Sequence, residues 1–440
     1  MVKMEKNVFA GCGISQNDDP YSAGKEAVER AIERAGKPPD FGFVFCSARK
    51  YAKNRSDIEK LVKGAHEAFT KANPNVKWIG CTTCGEIFDF KIYEGSCVAM
   101  AVASEFIHVG IGIGKNLVEQ PVKAGENAAR QALSDLKIDK YLDPYLQFLR
   151  MRNLSLVELA RVSPYMLLCI LPGTTKTHAA DDNQVIQGLI NVVGPAVPII
   201  GGASGDDYAF EKTYQFANGK VYESDEGMVV MAIISNLKTG YGLKHGYHPT
   251  GKIGVVTKSE GKVVKEIDNK PAAQRYAELL GVPLEEIKKN FRYYMVSYPF
   301  GIRSLFGIKS LKEDFWIKTV LQILDDGSLV FLSPIREHTV LNLMSYKPED
   351  VVDAAAEAIN EASREGKLKG GFLLIFNCGG RKGLQILGKL DESKGLEKAR
   401  GDYPCIGFYT YAEISTMPGE SMGQHNQTIV CLRISDELLT

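Results

Sequence analysis

The sequence predicts a mixed α/β fold of the α+β type, in which repeated strand-helix-strand-turn-strand units form mixed sheets flanked by helices and make two related modules. Three observations lead to this class. Apolar strands alternate with amphipathic helices, a glycine-containing turn follows the second strand of each unit, and strand-pair patterns come after the turns. Antiparallel pairs beside crossover helices favour mixed sheets over a purely parallel one.

The first unit opens with a helix whose two ends are marked. Asp19 can cap it, Pro20 suits its first position and Gly36 ends it. An apolar strand follows, FGFVFCS, as expected of a strand covered on both faces. A second helix, SDIEKLVKGAHEAFTKA, then leads to the strand VKWIG and the turn IGCTTCGEIF.

The apolar region at 95–114 predicts two strands and a turn. Glu105 and His108 interrupt it, and it is rich in Gly and β-branched residues, which argues against a membrane helix. The N-terminus lacks the uninterrupted apolar core of a secretory signal. We therefore expect a cytoplasmic protein without a membrane partner.

The same order of elements returns twice. In the middle of the chain come the strand YMLLCILPG, the helix DDNQVIQGLINVVG, the strand and turn VPIIGGASGDD, and a hairpin at Asn218-Gly219. Near the C-terminus, Pro348 opens a helix that is followed by GFLLIFNC, IGFYTYAEI and QTIVCLRI. This recurrence predicts related units.

Three cysteines serve as landmarks for aligning the units: Cys46, Cys169 and Cys378. On this alignment we expect Cys46 to correspond to Cys378. A domain boundary is expected within LKTGYGLKHGYHPTGK, where Gly, His and Tyr replace the apolar pattern. The predicted modules are residues 1–245 and 246–440.

The turns at 79–88 and 406–415 share the frame Ile-Gly-x-x-Thr-x-small-Glu-Ile. The first copy contains a Cys-x-x-Cys pair, Cys81 and Cys84, where the second has Phe408 and Tyr411. A structural zinc site needs four ligands, and no second Cys-x-x-Cys is present. We interpret the thiols as core residues and predict no metal; a metal or redox role is the alternative.

Composition describes a globular chain of ordinary charge. The 440 residues are 45% hydrophobic and 24% charged, with 53 basic and 53 acidic side chains. No overall field favours nucleic acid, so no nucleic-acid partner is expected. Nine cysteines, an odd number, fit reduced thiols in a reducing compartment.

In order and spacing, these motifs resemble the FIST (F-box and intracellular signal transduction) family. The resemblance rests on IGCTTCGEI, VPIIGGASGDD, GVVTKSEGKVVKEIDNKPAAQRYAELLG, FNCGGR, IGFYTYAEI and HNQT, and it spans nearly the whole chain. Cys84 and Ala412 depart from the family's more usual small residue and glycine. The resemblance implies paired N- and C-terminal FIST modules that bind a small molecule, with amino acids or related metabolites as proposed ligands.

The resemblance also implies a signalling role. Because the two modules use essentially all 440 residues, the output is expected to pass through an unidentified signalling protein or through self-association.

Arg381 is the first ligand-binding candidate. It follows two glycines at a strand end in FNCGGRKG, where its guanidinium can reach a carboxylate in a bidentate contact. The alternative is an intramolecular ion pair with Glu413 or another carboxylate. Asn377 and Cys378, at the same strand end, are further candidates.

The shared frame supplies four more candidates, Glu86, Glu413, Thr83 and Thr410. Each glutamate lies between a turn and an apolar segment, where a carboxylate needs partners. It either ties its own turn or binds a ligand amine, and each threonine either caps the turn or offers its hydroxyl.

The segment GGASGDD, with Ser204 and Asp206, is flexible enough for a tight turn whose N–H groups can hold an anion. It has no Walker lysine and is not a dinucleotide fingerprint, so no cofactor is predicted. Asp206 either holds an ammonium group or caps the next element. His425 either belongs to the site or joins strands.

These patterns leave three functional hypotheses. The first is a cytoplasmic small-molecule sensor with its ligand between strand-end loops. The second is a hydrolase or transferase that uses a cysteine or carboxylate in the equivalent cleft. The third is a protein-interaction scaffold.

Overall fold

The structure is a computed structural model that describes residues 6–142, 165–175, 181–303, 315–416 and 423–439. Mixed and antiparallel sheets carry helices on their faces, so the predicted class is confirmed. No helix in these ranges combines the length and the apolar composition needed to cross a bilayer.

The first unit contains the two predicted helices and the predicted strand pair. Asp19 caps the first helix by accepting from the Ser22 N–H, and Gly36 ends it in the left-handed conformation. The elements are β1 Phe9–Ser15, α1 Pro20–Ala35, β2 Phe41–Ser47, α2 Ala48–Tyr51, α3 Arg55–Ala72, β3 Lys77–Thr83, β4 Glu86–Phe88, β5 Lys91–Tyr93 and β6 Cys97–Ala103.

The second unit follows the same order. Asn218 and Gly219 both have positive φ in the turn between β10 and β11, which confirms the predicted hairpin. The elements are β7 Ile107–Gly114, α4 Pro121–Leu136, β8 Tyr165–Leu171, α5 Asp182–Val193, β9 Ile199–Ala203, β10 Tyr214–Ala217, β11 Lys220–Glu223, a 3₁₀ turn Ser224–Glu226 and β12 Met228–Ser235.

The third unit begins with β13 Leu237–Lys244 and resumes after a long insert, 245–347. Within the insert are β14 Tyr247–Glu260, β15 Val263–Ile267, β16 Lys270–Pro271, α6 Ala272–Leu280, α7 Leu284–Lys289, α8 Phe291–Ser297, β17 Phe300–Arg303, β18 Phe315–Lys318, β19 Val320–Ile323, β20 Leu329–Phe331 and β21 Val340–Tyr346. After it come α9 Pro348–Ala362, β22 Phe372–Cys378, α10 Gly379–Ile386, α11 Ser393–Lys398, β23 Cys405–Thr410, β24 Glu413–Thr416, β25 Gln424–His425 and β26 Ile429–Leu438.

The three six-stranded sheets share the same order of equivalent strands. Sheet 1 runs β1-β6-β2-β3-β10-β11, sheet 2 runs β7-β12-β8-β9-β24-β25, and sheet 3 runs β13-β26-β22-β23-β4-β5. In each sheet the central pair is parallel (β2-β3, β8-β9, β22-β23) and every other pair is antiparallel. The insert forms a separate sheet of its own.

The last two strands of each sheet come from a neighbouring unit. We call these strand pairs the arms: β4-β5 of the first unit joins sheet 3, β10-β11 of the second joins sheet 1, and β24-β25 of the third joins sheet 2. The exchange therefore closes a cycle around the molecule, and each sheet is completed by a segment that follows the parallel pair of another sheet.

The inner faces of the three sheets meet in a common apolar core. Phe45 of sheet 1 lies 4.6 Å from Phe408 of sheet 3, ring centre to ring centre, and Phe376 lies 5.6 Å from Phe408. Leu168 and Met231 of sheet 2 belong to the same buried cluster. Because the outer faces are covered by helices, the central strands are buried on both sides, as their continuous apolar sequences predict.

Candidate functional site

A cavity of about 520 Å³ lies where the ends of the central strands meet the insert. Its polar floor contains Cys378, Gly379, Gly380, Thr410 and Gln427. The remaining lining residues come from the second unit, the insert, helix α2, helix α10 with the residue after it, and the turn between β23 and β24: Arg49, Asp207, Tyr208, Phe210, Arg292, Met295, Val296, Thr319, Leu321, Leu332, Gly383, Ile386, Leu387 and Tyr411. The volume is in the range of small-molecule sites.

The floor is built by the turn from β22 into α10. Cys378 is the N-cap of α10, and its Sγ accepts from the Gly380 N–H at 3.4 Å. A Cβ on Gly380 would lie 2.3 Å from Nε2 of Gln427. Glycine therefore lets the floor close against Gln427, whose own Oε1 accepts from the Tyr247 hydroxyl at 3.2 Å.

One wall is the loop after β9. Asp207, Tyr208 and Phe210 all have positive φ, an uncommon state for residues with side chains. Asp206 stabilises the loop by accepting from the backbone N–H groups of 210, 211 and 212 and from the Tyr411 hydroxyl. Phe210 stacks on Tyr411 at 4.6 Å between ring centres. Asp206 is thus a cap, one of its two predicted roles.

Charged side chains lie on two sides of the cavity. Asp207 accepts from the Ser47 hydroxyl at 2.9 Å and from the Arg49 N–H at 2.8 Å, both through Oδ2. The exposed guanidinium of Arg49 makes a 3.5 Å contact with the Asp207 carbonyl. Arg292, also exposed, forms no ion pair with any residue that the structure describes. Both arginines are available to an anion.

The predicted pair of glutamates lies in matching hydrogen-bond networks. Glu86 accepts from Thr83 at 2.5 Å and from the Ser96 hydroxyl at 2.6 Å. Glu413 accepts from the Thr410 hydroxyl at 2.8 Å and from the Thr428 hydroxyl at 2.8 Å. Burial raises the pKa of both carboxyl groups to about 7.

Thr410 and Cys378 line the cavity, whereas Thr83 and the two glutamates do not. Glu413 is adjacent to the floor, because its hydrogen bonds join Thr410 to the residue after Gln427. The structure thus brings Cys378, Thr410 and Glu413 together. Ser204 lies elsewhere, where its hydroxyl donates to the Leu171 carbonyl at 3.1 Å.

Contrary to our expectation, Arg381 does not face the cavity. Its side chain is fully buried, and its Nε donates to Glu392 at 2.6 Å. Its two terminal nitrogens donate to the His245 carbonyl at 2.9 Å and the Val351 carbonyl at 2.7 Å. These contacts engage all three nitrogens of the guanidinium within the protein, so the intramolecular alternative describes the structure, with Glu392 as the partner.

Asn377 and His425 are buried away from the cavity lining. Asn377 points to the opposite face of β22 from Cys378, as neighbours in a strand do. The ring of His425 contacts the Ser415 carbonyl at 3.3 Å, and burial lowers its pKa to about 3. His425 thus contacts the neighbouring strand, the joining role considered for it.

The cysteine landmarks are out of register. Cys378 pairs with Thr410, and the residue that pairs with the equivalent Thr83 is Ser47. Cys46 therefore corresponds to Asn377, and the expected match of Cys46 with Cys378 is wrong by one residue. Because a shift of one residue reverses the face, Cys46 is in the core and Cys378 reaches the cavity.

Cys81 and Cys84 pack in different apolar clusters. Cys81 lies in the common core of the three sheets, and Cys84 lies in the cluster with Tyr411. Both are fully buried, and burial raises the pKa of the Cys84 thiol to about 12. The environment fits the interpretation of both thiols as core residues.

Sequence reasoning did not select Arg49, Asp207, Arg292 or Gln427 as site residues. Arg49 begins a short basic run whose usual interpretation is a solvated face, and Gln427 lies in a turn. Arg292 belongs to the insert but lies outside GVVTKSEGKVVKEIDNKPAAQRYAELLG, the motif of the insert on which the family resemblance rests. Only their convergence in space distinguishes them.

The chain matches the FIST N domain model over residues 40–270 and the FIST C domain model over residues 272–416. The uncharacterized protein MJ1623 of Methanocaldococcus jannaschii is 30% identical over 247 residues, which cover 52% of this chain and 47% of that protein. The chain thus spans about half the length of this curated relative. The boundary between residues 245 and 246 stays a prediction.

Two solved structures resemble the fold weakly. A cyanuric acid hydrolase from A. caulinodans is 7% identical with a TM-score of 0.38, and the match covers 97% of this chain and 99% of that one. PurLQS from Thermotoga maritima is 10% identical with a TM-score of 0.21, over 97% of this chain and 72% of that one.

Proposed function

The chain belongs to the FIST family of signal-transduction sensor domains, and from this premise we propose that it is a cytoplasmic sensor that binds a small carboxylic acid, an amino acid or a related metabolite, in the cavity. The observation that carries the proposal is the pairing of two available arginines with an apolar wall in a cavity of about 520 Å³. Such a combination suits an anionic group on an apolar body.

The arginines and the apolar wall assign an orientation to the ligand. Arg49 and Arg292 hold its carboxylate through charge-assisted hydrogen bonds. Its apolar part lies against the wall formed by Met295, Val296, Leu321, Leu332, Ile386 and Leu387. The Oδ1 atom of Asp207 has no partner among the described residues, and it accepts the ammonium group when the ligand is an amino acid.

The two arginines lie in different parts of the fold, and this location suggests how ligand binding produces a signal. Arg49 is part of the first unit and Arg292 is part of the insert, so a carboxylate between them draws the insert toward the three sheets. The change is read by an unidentified signalling protein or by self-association. We also propose that the strand-helix-strand-turn-strand units are internal repeats within the two FIST modules, as the recurring motifs suggest.

The test is a thermal-shift screen of the wild type against the twenty amino acids and simple 2-hydroxy and 2-oxo acids, followed by calorimetric titration of each hit. Arg292→Met is expected to weaken binding of a hit about tenfold or more, since hydrogen bonds to charged groups contribute about 1.5–3 kcal/mol. Arg336→Met, at an exposed position of the insert outside the cavity, is the control. Equal affinity of both variants would contradict the proposed orientation.

The alternative function, a hydrolase or transferase, is favoured by one observation. Cys378 lies in the cavity floor beside Thr410 and in front of Glu413. An enzyme of this class needs a second acid-base group for its leaving group or water, and the described lining residues include no histidine.

A further inference from the structure

The thiol of Cys378 has no role in the ligand binding proposed above, although it lies in the floor of the same cavity. It is 4% exposed and opens onto the cavity floor, and no other cysteine lines the cavity among the described residues. Its N–H donates to the Thr428 carbonyl at 2.9 Å, and Thr428 in turn donates to Glu413 through its N–H at 3.2 Å and its hydroxyl at 2.8 Å. Cys378 and Glu413 thus share one rigid hydrogen-bond network.

Glu413 is suited to exchange a proton with this thiol. The carboxyl group interacts with the Cys378 thiol, and burial raises the pKa of Glu413 to about 7, where a group can both take and return a proton near neutrality. Burial also raises the pKa of the Cys378 thiol. The thiol therefore needs a neighbouring base in order to react as a nucleophile.

The third component is a set of backbone donors. Gly379 and Gly380 form the first turn of α10, where N–H groups lack partners within the helix. Both glycines line the cavity next to Cys378. The Gly380 N–H donates to the Cys378 Sγ at 3.4 Å and stabilises the thiolate, and an oxygen that gains negative charge beside the sulfur is stabilised by the Gly379 N–H and by the helix dipole.

We propose that Cys378 reversibly captures the carbonyl carbon of a small 2-oxo acid in the cavity, with Glu413 as the base. This inference rests on the proposed function, because the ligand occupies the same cavity and places its carboxylate on Arg49 and Arg292. It narrows the ligand to a carboxylic acid that also carries an electrophilic carbonyl group.

The step is an addition without oxidation or reduction. The Glu413 carboxylate takes the thiol proton, the sulfur forms a bond to the carbonyl carbon, and the π electron pair moves to the oxygen. Glu413 then returns the proton to that oxygen, which gives a hemithioketal. One acid-base group is enough for this addition, and every part of the step reverses when the ligand leaves.

The first test needs no ligand. Native protein is treated with iodoacetamide at pH 7.5, and the alkylation rate of each cysteine is measured by peptide mass spectrometry. Cys378 is expected to react faster than Cys12, a buried thiol outside the cavity. Glu413→Gln should lower the alkylation rate of Cys378 by about 10²-fold, the low end for general-base catalysis, and leave the alkylation rate of Cys12 unchanged. Glu413→Asp replaces this variant if it does not fold.

The second test separates capture from binding. Wild type and Cys378→Ala are compared with [2-¹³C]pyruvate by ¹³C NMR and with lactate, which has no carbonyl at that carbon, by calorimetry. We expect a tetrahedral ¹³C signal in the wild type, distinct from that of free pyruvate hydrate, that Cys378→Ala loses while it still binds lactate.

Lactate binding without a tetrahedral pyruvate carbon in the wild type would overturn capture and leave the proposed function standing. Persistence in Cys378→Ala of the tetrahedral signal that is distinct from free pyruvate hydrate, or alkylation of Cys378 no faster than that of Cys12, would also overturn it. Failure of the proposed function has a different signature, namely no hit in the thermal-shift screen.

Discussion

Glu86 and Glu413 are buried carboxyl groups on which two opposing effects act. Oε1 of Glu86 accepts from the Thr83 hydroxyl, and Oε2 accepts from the Ser96 N–H at 3.0 Å and from the Ser96 hydroxyl at 2.6 Å. These hydrogen bonds favour the carboxylate, but burial favours the neutral acid more strongly and raises the pKa of Glu86 to about 7.

The raised pKa predicts that Glu86 makes stability fall as pH rises. Because the pKa is about 7 in the folded protein and 4.5 for an ordinary glutamate, the stabilisation is fully present below about pH 4.5 and is lost as pH rises through 7. The loss is at most about 3 kcal/mol. Glu86→Gln imitates the protonated acid, so it should flatten this part of the profile in urea unfolding at pH 5–8.

Exposed Glu337→Gln is the control for this measurement, and it should leave the profile unchanged. A Glu86→Gln profile that is parallel to the wild type would show that this carboxyl group does not titrate differently in the folded state.

We expect substitution of Arg381 to cause a large loss of stability. Arg381→Met leaves the buried Glu392 without its cation, which costs about 3–5 kcal/mol in comparable buried pairs. Lys398→Met breaks the exposed pair with Asp353 and should cost less than about 1 kcal/mol. Urea unfolding of the two variants checks this difference, and equal losses would contradict the structural role of Arg381.

At the scale of elements, one glycine in the second strand of each parallel pair explains how the two strands fit together. A Cβ on Gly80, Gly201 or Gly407 would lie 1.9, 1.8 or 2.2 Å from a carbonyl oxygen of the adjacent parallel strand. Each glycine therefore permits a close approach of two backbones that any side chain would prevent.

We predict that Gly407→Ala destabilises the protein by about 3 kcal/mol or more, because β22 and β23 must separate. Gly383→Ala is the control, since its Cβ would meet Val296 at an ordinary 3.6 Å and alanine favours the helix. Thermal melts of the two variants measure the difference. A melting temperature of Gly407→Ala near that of the wild type would show that the strand pair can adjust.

Local elements could be predicted from sequence because their signals are local. Asp19, Gly36 and Pro348 mark helix ends through their own backbone chemistry, and Asn218-Gly219 specifies its turn. Strand register was not predictable from the cysteine landmarks, because a buried thiol fits either face of a strand. Hydrogen-bond partners decide the register, and those partners are distant in sequence.

The candidate site was predictable only in part for the same reason. Cys378 and Thr410 stood out through their motifs, whereas Arg49 and Arg292 become neighbours of the cavity only after the insert docks on the sheets. The role of Arg381 depended on Glu392, which no motif marked. Residue type alone did not distinguish an anion-binding arginine from one in a buried ion pair.

For the whole molecule, the cyclic exchange of arms predicts that the modules do not fold separately. Division between residues 245 and 246 removes from sheet 3 both β13 and the arm β4-β5, and removes β24-β25 from sheet 2. Each fragment would expose unpaired strand edges, which promote association.

We expect fragments 1–245 and 246–440 to be aggregated or unfolded when expressed alone and to form a folded 1:1 complex when co-expressed. Size-exclusion chromatography and circular dichroism check this outcome. A monomeric 1–245 fragment with a cooperative unfolding transition would show that the arms contribute little to folding.

The arm β4-β5 also has a consequence for the protein during its synthesis. Its partner strand β23 lies about 320 residues further along the chain. At about 5–20 residues per second, a ribosome needs roughly 15–60 s to cover that distance. During this interval the arm has no strand to pair with. The newly made chain must therefore be protected from pairing with other nascent chains on the same messenger RNA.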